Sequence, residues 1–227
     1  MSSPLRASRF RSFIRAKPSD AWRVAAFLAV SGGLQDAYSY FERGRVFANA
    51  QTGNIVLLGA KICEGDFAGA ARYVLPLCAF VAGVFAAEWL RQHATRLHWR
   101  QNVLLVEMLL LAVVGILPNS LDAAANAIVS FSCAMQVQAF RKLHGNAYAS
   151  TMCIGNLRSL ASWAERAVSG EGRHAWRRAE RYLGVIALFA LGATLGAFLA
   201  PRLGIRTIWV SCALLVVSFA QMFERGK

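Results

Sequence analysis

"FANAQTGNIVLLG", residues 47–59, sets Asn49, Gln51, Thr52, Gly53 and Asn54 almost side by side in a chain otherwise dominated by apolar residues. Leaving one such amide unpaired in hydrocarbon costs on the order of several kcal/mol. The stretch is therefore either a water-exposed loop or an interior polar site, and the surrounding sequence favours the second. A regular helix turns about 100° per residue, which spreads these side chains over two faces that no single neighbour can cover. A break at Gly53 would remove the conflict, because glycine adopts backbone angles closed to other residues. How this stretch sits also decides how many times the chain crosses a membrane.

The composition places the chain in a bilayer. Of its 227 residues 56% are hydrophobic and 16% charged, against about 45–50% and about 25% in soluble domains. The net charge of +13 does not point to nucleic acid. The basic residues punctuate apolar runs, and RNA-binding signatures and zinc-finger spacings are absent. Five cysteines lie far apart in or beside apolar segments with no C-x-x-C pair, so they read as small buried hydrophobes. No metal site and no cofactor is expected. The start resembles a signal peptide, but "SGGLQDAYSYF" offers no small-x-small cleavage site, so an uncleaved first helix is expected.

A spanning helix needs about 20 mostly apolar residues. Residues 22–41, 73–90, 102–118, 123–140, 182–200 and 205–223 qualify. Two more segments, 46–62 and 147–164, are apolar but interrupted by Gly–Asn pairs. With neither spanning and the N-terminus cytoplasmic, 19 of the 25 Lys and Arg fall inside and 6 outside. If both span, the bias weakens badly, so the positive-inside rule favours six spans and two non-spanning insertions. Eight spans is the alternative. Period-2 alternation is missing, which excludes a barrel. The expected fold is all-α and polytopic: residues 1–21 a basic cytoplasmic or interfacial segment, 22–118 a first repeat and 119–227 a second, in one membrane domain.

The repeat is legible in ordered landmarks. "TGNIVLLGA" (52–60) aligns with "IGNLRSLAS" (154–162), and "SGGLQDAYSYF" with "SCAMQVQAFRKL". "RYVLPLCAFVAG" (72–83) aligns with "RYLGVIALFALG" (181–192), seven residues further on because of a longer basic loop. Each half reads as span, insertion, span, span. An odd span count gives the halves opposite orientations, a recurrent transporter plan.

The run "GGLQDAYSYFERGRVFANAQTGNIVLLG", with "NAQTGN" as its most specific part and "GNLRSLA" as a second landmark, resembles the YoaK-like family of bacterial integral membrane proteins, a domain of unknown function. The resemblance extends from about Trp22 to Phe223. It implies a multi-pass protein of the bacterial cytoplasmic membrane with about six helices, and it carries no substrate, catalytic residue or cofactor. Ile154 stands where the first half has Thr52.

The candidate substrate-binding residues are Gln35, Asp36, Asn49, Gln51, Thr52, Gly53, Asn54, Gln136, Gln138, Gly155, Asn156 and Arg158. Asn54 and Asn156 can each offer a donor and an acceptor to exposed backbone or to a bound solute, and a helix starting near Gly–Asn would aim free N–H groups inward. The competing reading is that they only hold helices together. Asp36 is expected to face a cavity or to pair with Arg43 or Arg45. Glu107 is expected to snorkel toward Arg100 or to be protonated within the bundle, and Arg158 to attract an anionic solute or pair with Glu165. Gly83 and Gly192 give small-residue helix contacts, and Arg9–Arg15 an interfacial helix. G-x-S-x-G, H-E-x-x-H and Walker motifs are absent, so no enzyme is expected. The leading candidate is a secondary transporter or permease for a small polar or anionic solute. The alternative is a non-transporting membrane sensor or assembly protein. Expected partners are the lipid bilayer and a small solute, with self-association left open.

Overall fold

The computed structural model describes residues 18–93, 99–143, 146–147 and 153–223; the expected interfacial helix at Arg9–Arg15 lies outside them. Among the described residues eight α-helices follow one another: α1 Pro18–Glu42, α2 Gln51–Cys63, α3 Phe67–His93, α4 Trp99–Val114, α5 Asp122–Ala139, α6 Cys153–Arg166, α7 Arg173–Leu203 and α8 Ile208–Phe223. Lys142–Leu143 and Asn146–Ala147 form a two-residue antiparallel pairing ahead of α6. All six apolar segments are helical. The two Gly–Asn segments are the short helices α2 and α6, of 13 and 14 residues.

The bundle carries its apolar residues outward. Phe67, Val81 and Phe85 on α3, Leu109 on α4, Leu183 and Phe198 on α7 and Val216 on α8 are exposed. Ser31, Gln35, Glu107, Asn126, Ser130 and Gln136 are buried. A soluble fold hides the first group and shows the second. Phe67–His93 and the helical stretch Arg173–Met222 are long and apolar enough to cross a membrane by length and composition.

Helix pairing is symmetric in the two halves. α1 packs along α7 as α5 packs along α3; α2 lies on α3 as α6 lies on α7; α1 touches α8 as α5 touches α4. α4 and α8 pack on each other. Two glycines seat the longest pairs. A Cβ on Gly192 would lie 1.9 Å from the Val30 carbonyl oxygen, and one on Gly83 would lie 2.3 Å from that of Phe131. Val30 and Phe131 are separated by the same interval as Gln35 and Gln136. Between helices in lipid, close backbone approach replaces the hydrophobic drive that water would supply.

Short-range chemistry ends the elements. Asp66 caps α3: its Oδ1 accepts from Gly69 N–H at 2.8 Å, and Lys61 Nζ lies 3.4 Å from its Oδ2. The Gly69 bond, then Lys61, holds this exposed carboxyl below its ordinary pKa. α6 and α7 are separated by a turn with Gly170 at φ 103° and Gly172 at φ 75°.

Candidate polar centre of the bundle

Arg43 fastens the end of α1 and is completely buried. Its Nε donates to Tyr38 Oη at 2.7 Å, and Nη1 to Asp122 Oδ1 at 2.9 Å and Pro118 O at 3.4 Å. Nη2 donates to Val114 O at 2.8 Å and Leu117 O at 2.9 Å. The guanidinium's donors are all engaged. The expected pairing with Asp36 is corrected. Arg43 lies about two helical turns further along, level with the α4–α5 turn, whose carbonyls and Asp122 claim it.

Beyond Arg43 the chain folds back along α1, and Asp36 receives it. Asn49 N–H donates to Asp36 Oδ1 at 2.6 Å, and the main-chain N–H groups of Ala48 and Ala50 also serve that carboxylate. Asn49 Nδ2 reaches Gly32 O at 3.3 Å. Asn49 Oδ1 is buried and has no hydrogen-bond partner among the described residues. α2 begins two residues later, so the positive end of its dipole lies near a carboxylate, while the Gln51 and Gly53 N–H groups bond Asn49 O and Ala50 O at 2.8 Å each. Cys153, the first residue of α6, lies within electrostatic reach of the same Asp36.

Asn54 builds the fold-back. Its Oδ1 accepts from Phe47 N–H at 2.9 Å. Its Nδ2 donates to Phe47 O at 2.8 Å and Gln51 Oε1 at 2.8 Å. Gln51 Nε2 in turn donates to Ala48 O at 2.8 Å. The Phe47 ring lies directly on Gly53, where a Cβ would come within 2.9 Å of it. The expected break at Gly53 is thus corrected. α2 is continuous through it; the interruption precedes the helix, and the glycine serves close packing.

Deeper in the bundle, four helices converge on one carboxylate. Glu107, midway along α4, is completely buried, so the expected snorkelling toward Arg100 is corrected. It shares its face of α4 with the buried Val103, Leu104, Leu111 and Val114, and that face turns into the bundle. Gln35 Nε2 donates to Glu107 Oε1 at 3.2 Å, to Ser211 Oγ at 2.9 Å and to Ser31 Oγ at 3.1 Å. Ser31 Oγ and Ser211 Oγ are 2.6 Å apart. Assigned from the same network, the Gln136 amide nitrogen donates to Glu107 Oε1 at 2.9 Å and Oε2 at 3.1 Å. The Cys133 thiol donates to Gln35 Oε1 at 2.6 Å.

Of the residues singled out in the sequence, the structure brings together Gln35, Asp36, Asn49 and Gln136. Gln51, Gly53 and Asn54 belong to the fold-back beside them. Asn156 is buried at the matching place on α6. Thr52, Gly155 and Arg158 are exposed. Gln138 is half-buried and donates to Glu88 Oε2 at 2.8 Å. Arg158 does not pair with Glu165, which accepts instead from Ser169 Oγ at 2.7 Å. Sequence reasoning missed Glu107, Ser31, Ser211 and Cys133 as members of the centre. Ser31 carried a usable signal, since it lies four residues before Gln35 on the same helix face.

These polar contacts all lie within one family match. A model described as "Protein of unknown function (DUF1275)" matches residues 24–221. The chain belongs to the DUF1275 family. The UPF0700 transmembrane protein YoaK of Bacillus subtilis (strain 168) is 28% identical over 202 residues, covering 85% of this chain and 89% of the relative. No solved structure matches. The resemblance read from "NAQTGN" is borne out. A membrane is also the setting that accounts for the outward apolar faces of this DUF1275 chain.

Proposed function

We propose that the chain is a secondary transporter or permease of the bacterial cytoplasmic membrane, carrying a small polar solute by alternating access. The observation that carries this reading is the Asn49 side chain: its Oδ1 is buried without a partner beside the Asp36 carboxylate. An orphaned acceptor in a bundle interior is costly, and a solute that donates hydrogen bonds would satisfy it.

The architecture supports the same reading. α1, α3, α4, α5, α7 and α8 are the spans, with both termini cytoplasmic. At 1.5 Å per residue α2 and α6 reach only about 20 Å, less than α4 and α8 at about 24 Å, and are the shortest of the described α-helices against a hydrocarbon core about 30 Å thick. The matched pairings α1–α7 and α5–α3 support an inverted repeat with both short helices starting near its centre, where transporters of this plan place their substrates. The centre is rich in acceptors: Asp36, Glu107 and Asn49 Oδ1. The buried Arg43 is fully committed elsewhere, and Arg158 is exposed. The solute is therefore a hydrogen-bond donor, neutral or cationic, and the anionic option loses its basis.

The second reading, a non-transporting sensor or assembly protein, draws on Asn54, whose bonds to Phe47 serve the fold alone. Uptake of a panel of labelled polyols, amines, amides and amino acids into proteoliposomes separates the two. Flux of at least one solute, reduced in Asp36→Asn and Asn49→Ala with folding intact, supports transport. No flux across the panel supports the second reading.

A further inference from the structure

A carboxylate enclosed on all sides needs a counter-charge, and Glu107 has no cationic one. The groups facing it are Gln35 with Ser31 from α1, Gln136 and Cys133 from α5, and Ser211 with Cys212 from α8. Asp36, one residue past Gln35, is a second acid near the same thiol. Among the described residues no Lys, Arg or His from these helices or from α3 acts on Glu107. Arg43, the basic residue buried on α1, spends its donors on the α4–α5 turn.

A metal ion fits this surrounding poorly. The Gln35 amide turns its nitrogen toward the carboxylate, and its oxygen is taken by the Cys133 thiol. A cation placed there would meet N–H groups where it needs oxygen ligands. A proton fits well. Gln35 Nε2 has two hydrogens but faces three acceptors, Ser31 Oγ, Ser211 Oγ and Glu107 Oε1. One of these three contacts therefore lacks a hydrogen, which leaves Glu107 Oε1, the most distant at 3.2 Å, the least firmly held and open to a proton. Rotation of the Gln35 or Gln136 amide then presents an oxygen to accept from Glu107 O–H. Ionised and protonated states are thus matched to two amide orientations, one contributed by each half of the chain.

We propose that Glu107 is the proton-binding site of the bundle, clasped by Gln35 and Gln136. Placing it in a transport cycle rests on the transporter reading above. The step is a proton transfer and nothing more. A proton from one aqueous phase forms the Glu107 Oε–H bond, and its release to the other phase restores the carboxylate.

Infrared difference spectroscopy of the full-length protein in lipid, titrated with pH, reads this directly. The expected result is a protonated-carboxyl C=O band that disappears as pH rises, is lost in Glu107→Gln and is retained in Asp36→Asn. If Glu107→Gln does not fold, Gln136→Ala serves: removing a hydrogen-bond partner must shift the band's frequency. A titrating band unaffected by either change, or no titrating band across the range in which the protein stays folded, overturns the proposal. The failures are distinguishable. A band assigned to Glu107 alongside absent solute flux removes the transporter reading and leaves the proton site. Flux without that band removes the proton site alone.

Discussion

Gln35 and Gln136 bring their side-chain amides within hydrogen-bond distance of the same buried carboxylate, that of Glu107, one from each half of the chain. Residues 101 positions apart thus share one acceptor, which makes their energies interdependent. Gln35→Ala and Gln136→Ala should each destabilise the protein, and the double change should differ from the sum of the two. Coupling of about 0.5–3 kcal/mol is typical of residues in one network. Thermal unfolding in detergent, taken round the full cycle, checks it.

Glycine substitutions should separate into two classes. Gly192→Ala and Gly83→Ala drive a methyl into the backbone of the facing helix and should cost about 1–3 kcal/mol or more, as overpacking does. Gly59→Ala and Gly155→Ala meet nothing within 4 Å. They should be neutral or stabilising by up to about 1 kcal/mol through helix propensity. Melting temperatures of the four variants test the distinction.

Arg43→Lys should be poorly tolerated despite keeping the charge. An ammonium cannot span Tyr38, Asp122 and three carbonyls at once. A loss of about 3 kcal/mol or more is expected, and Asp122→Ala should cost less, because its carboxylate is partly solvated. Comparing the yields and unfolding midpoints of both variants settles the order.

The six apolar helices were legible in the sequence because about 20 apolar residues in lipid have few alternatives to an α-helix. Small-residue packing at Gly83 and Gly192 was legible too, and both glycines meet the backbone of a facing helix. The residues of the centre were only half legible. Gln35, Asp36 and Asn49 stood out as polar groups in a greasy context. Glu107 did not, because its distance from the helix end suits snorkelling as well as burial, and only the facing Gln35 and Gln136 decide between them. Asn54 was legible as a donor and acceptor for exposed backbone, but which backbone was not. Its partner is the backbone of Phe47, and no side-chain pattern reveals a backbone acceptor.

The turn before α3 should contribute acid sensitivity. Asp66 has its folded pKa lowered by Gly69 N–H and Lys61, so its contribution is full above the ordinary carboxylate range. That contribution declines as pH falls through the folded value. Asp66→Asn keeps the cap acceptor and should flatten this part of the pH–stability profile. An unchanged profile would show that the cap contributes nothing to acid stability.

The most direct test of alternating access is the reactivity of one cysteine. Asn49→Cys, in a background with the five native cysteines replaced, is exposed in inside-out and right-side-out vesicles to a membrane-impermeant thiol reagent. Glu64→Cys, in the exposed turn between α2 and α3, serves as the accessible control, and Leu104→Cys as a buried one. Reaction at position 49 from both sides, slowed by a transported solute, is the predicted result. Reaction from neither side or from one side alone, with the protein folded, would contradict the account.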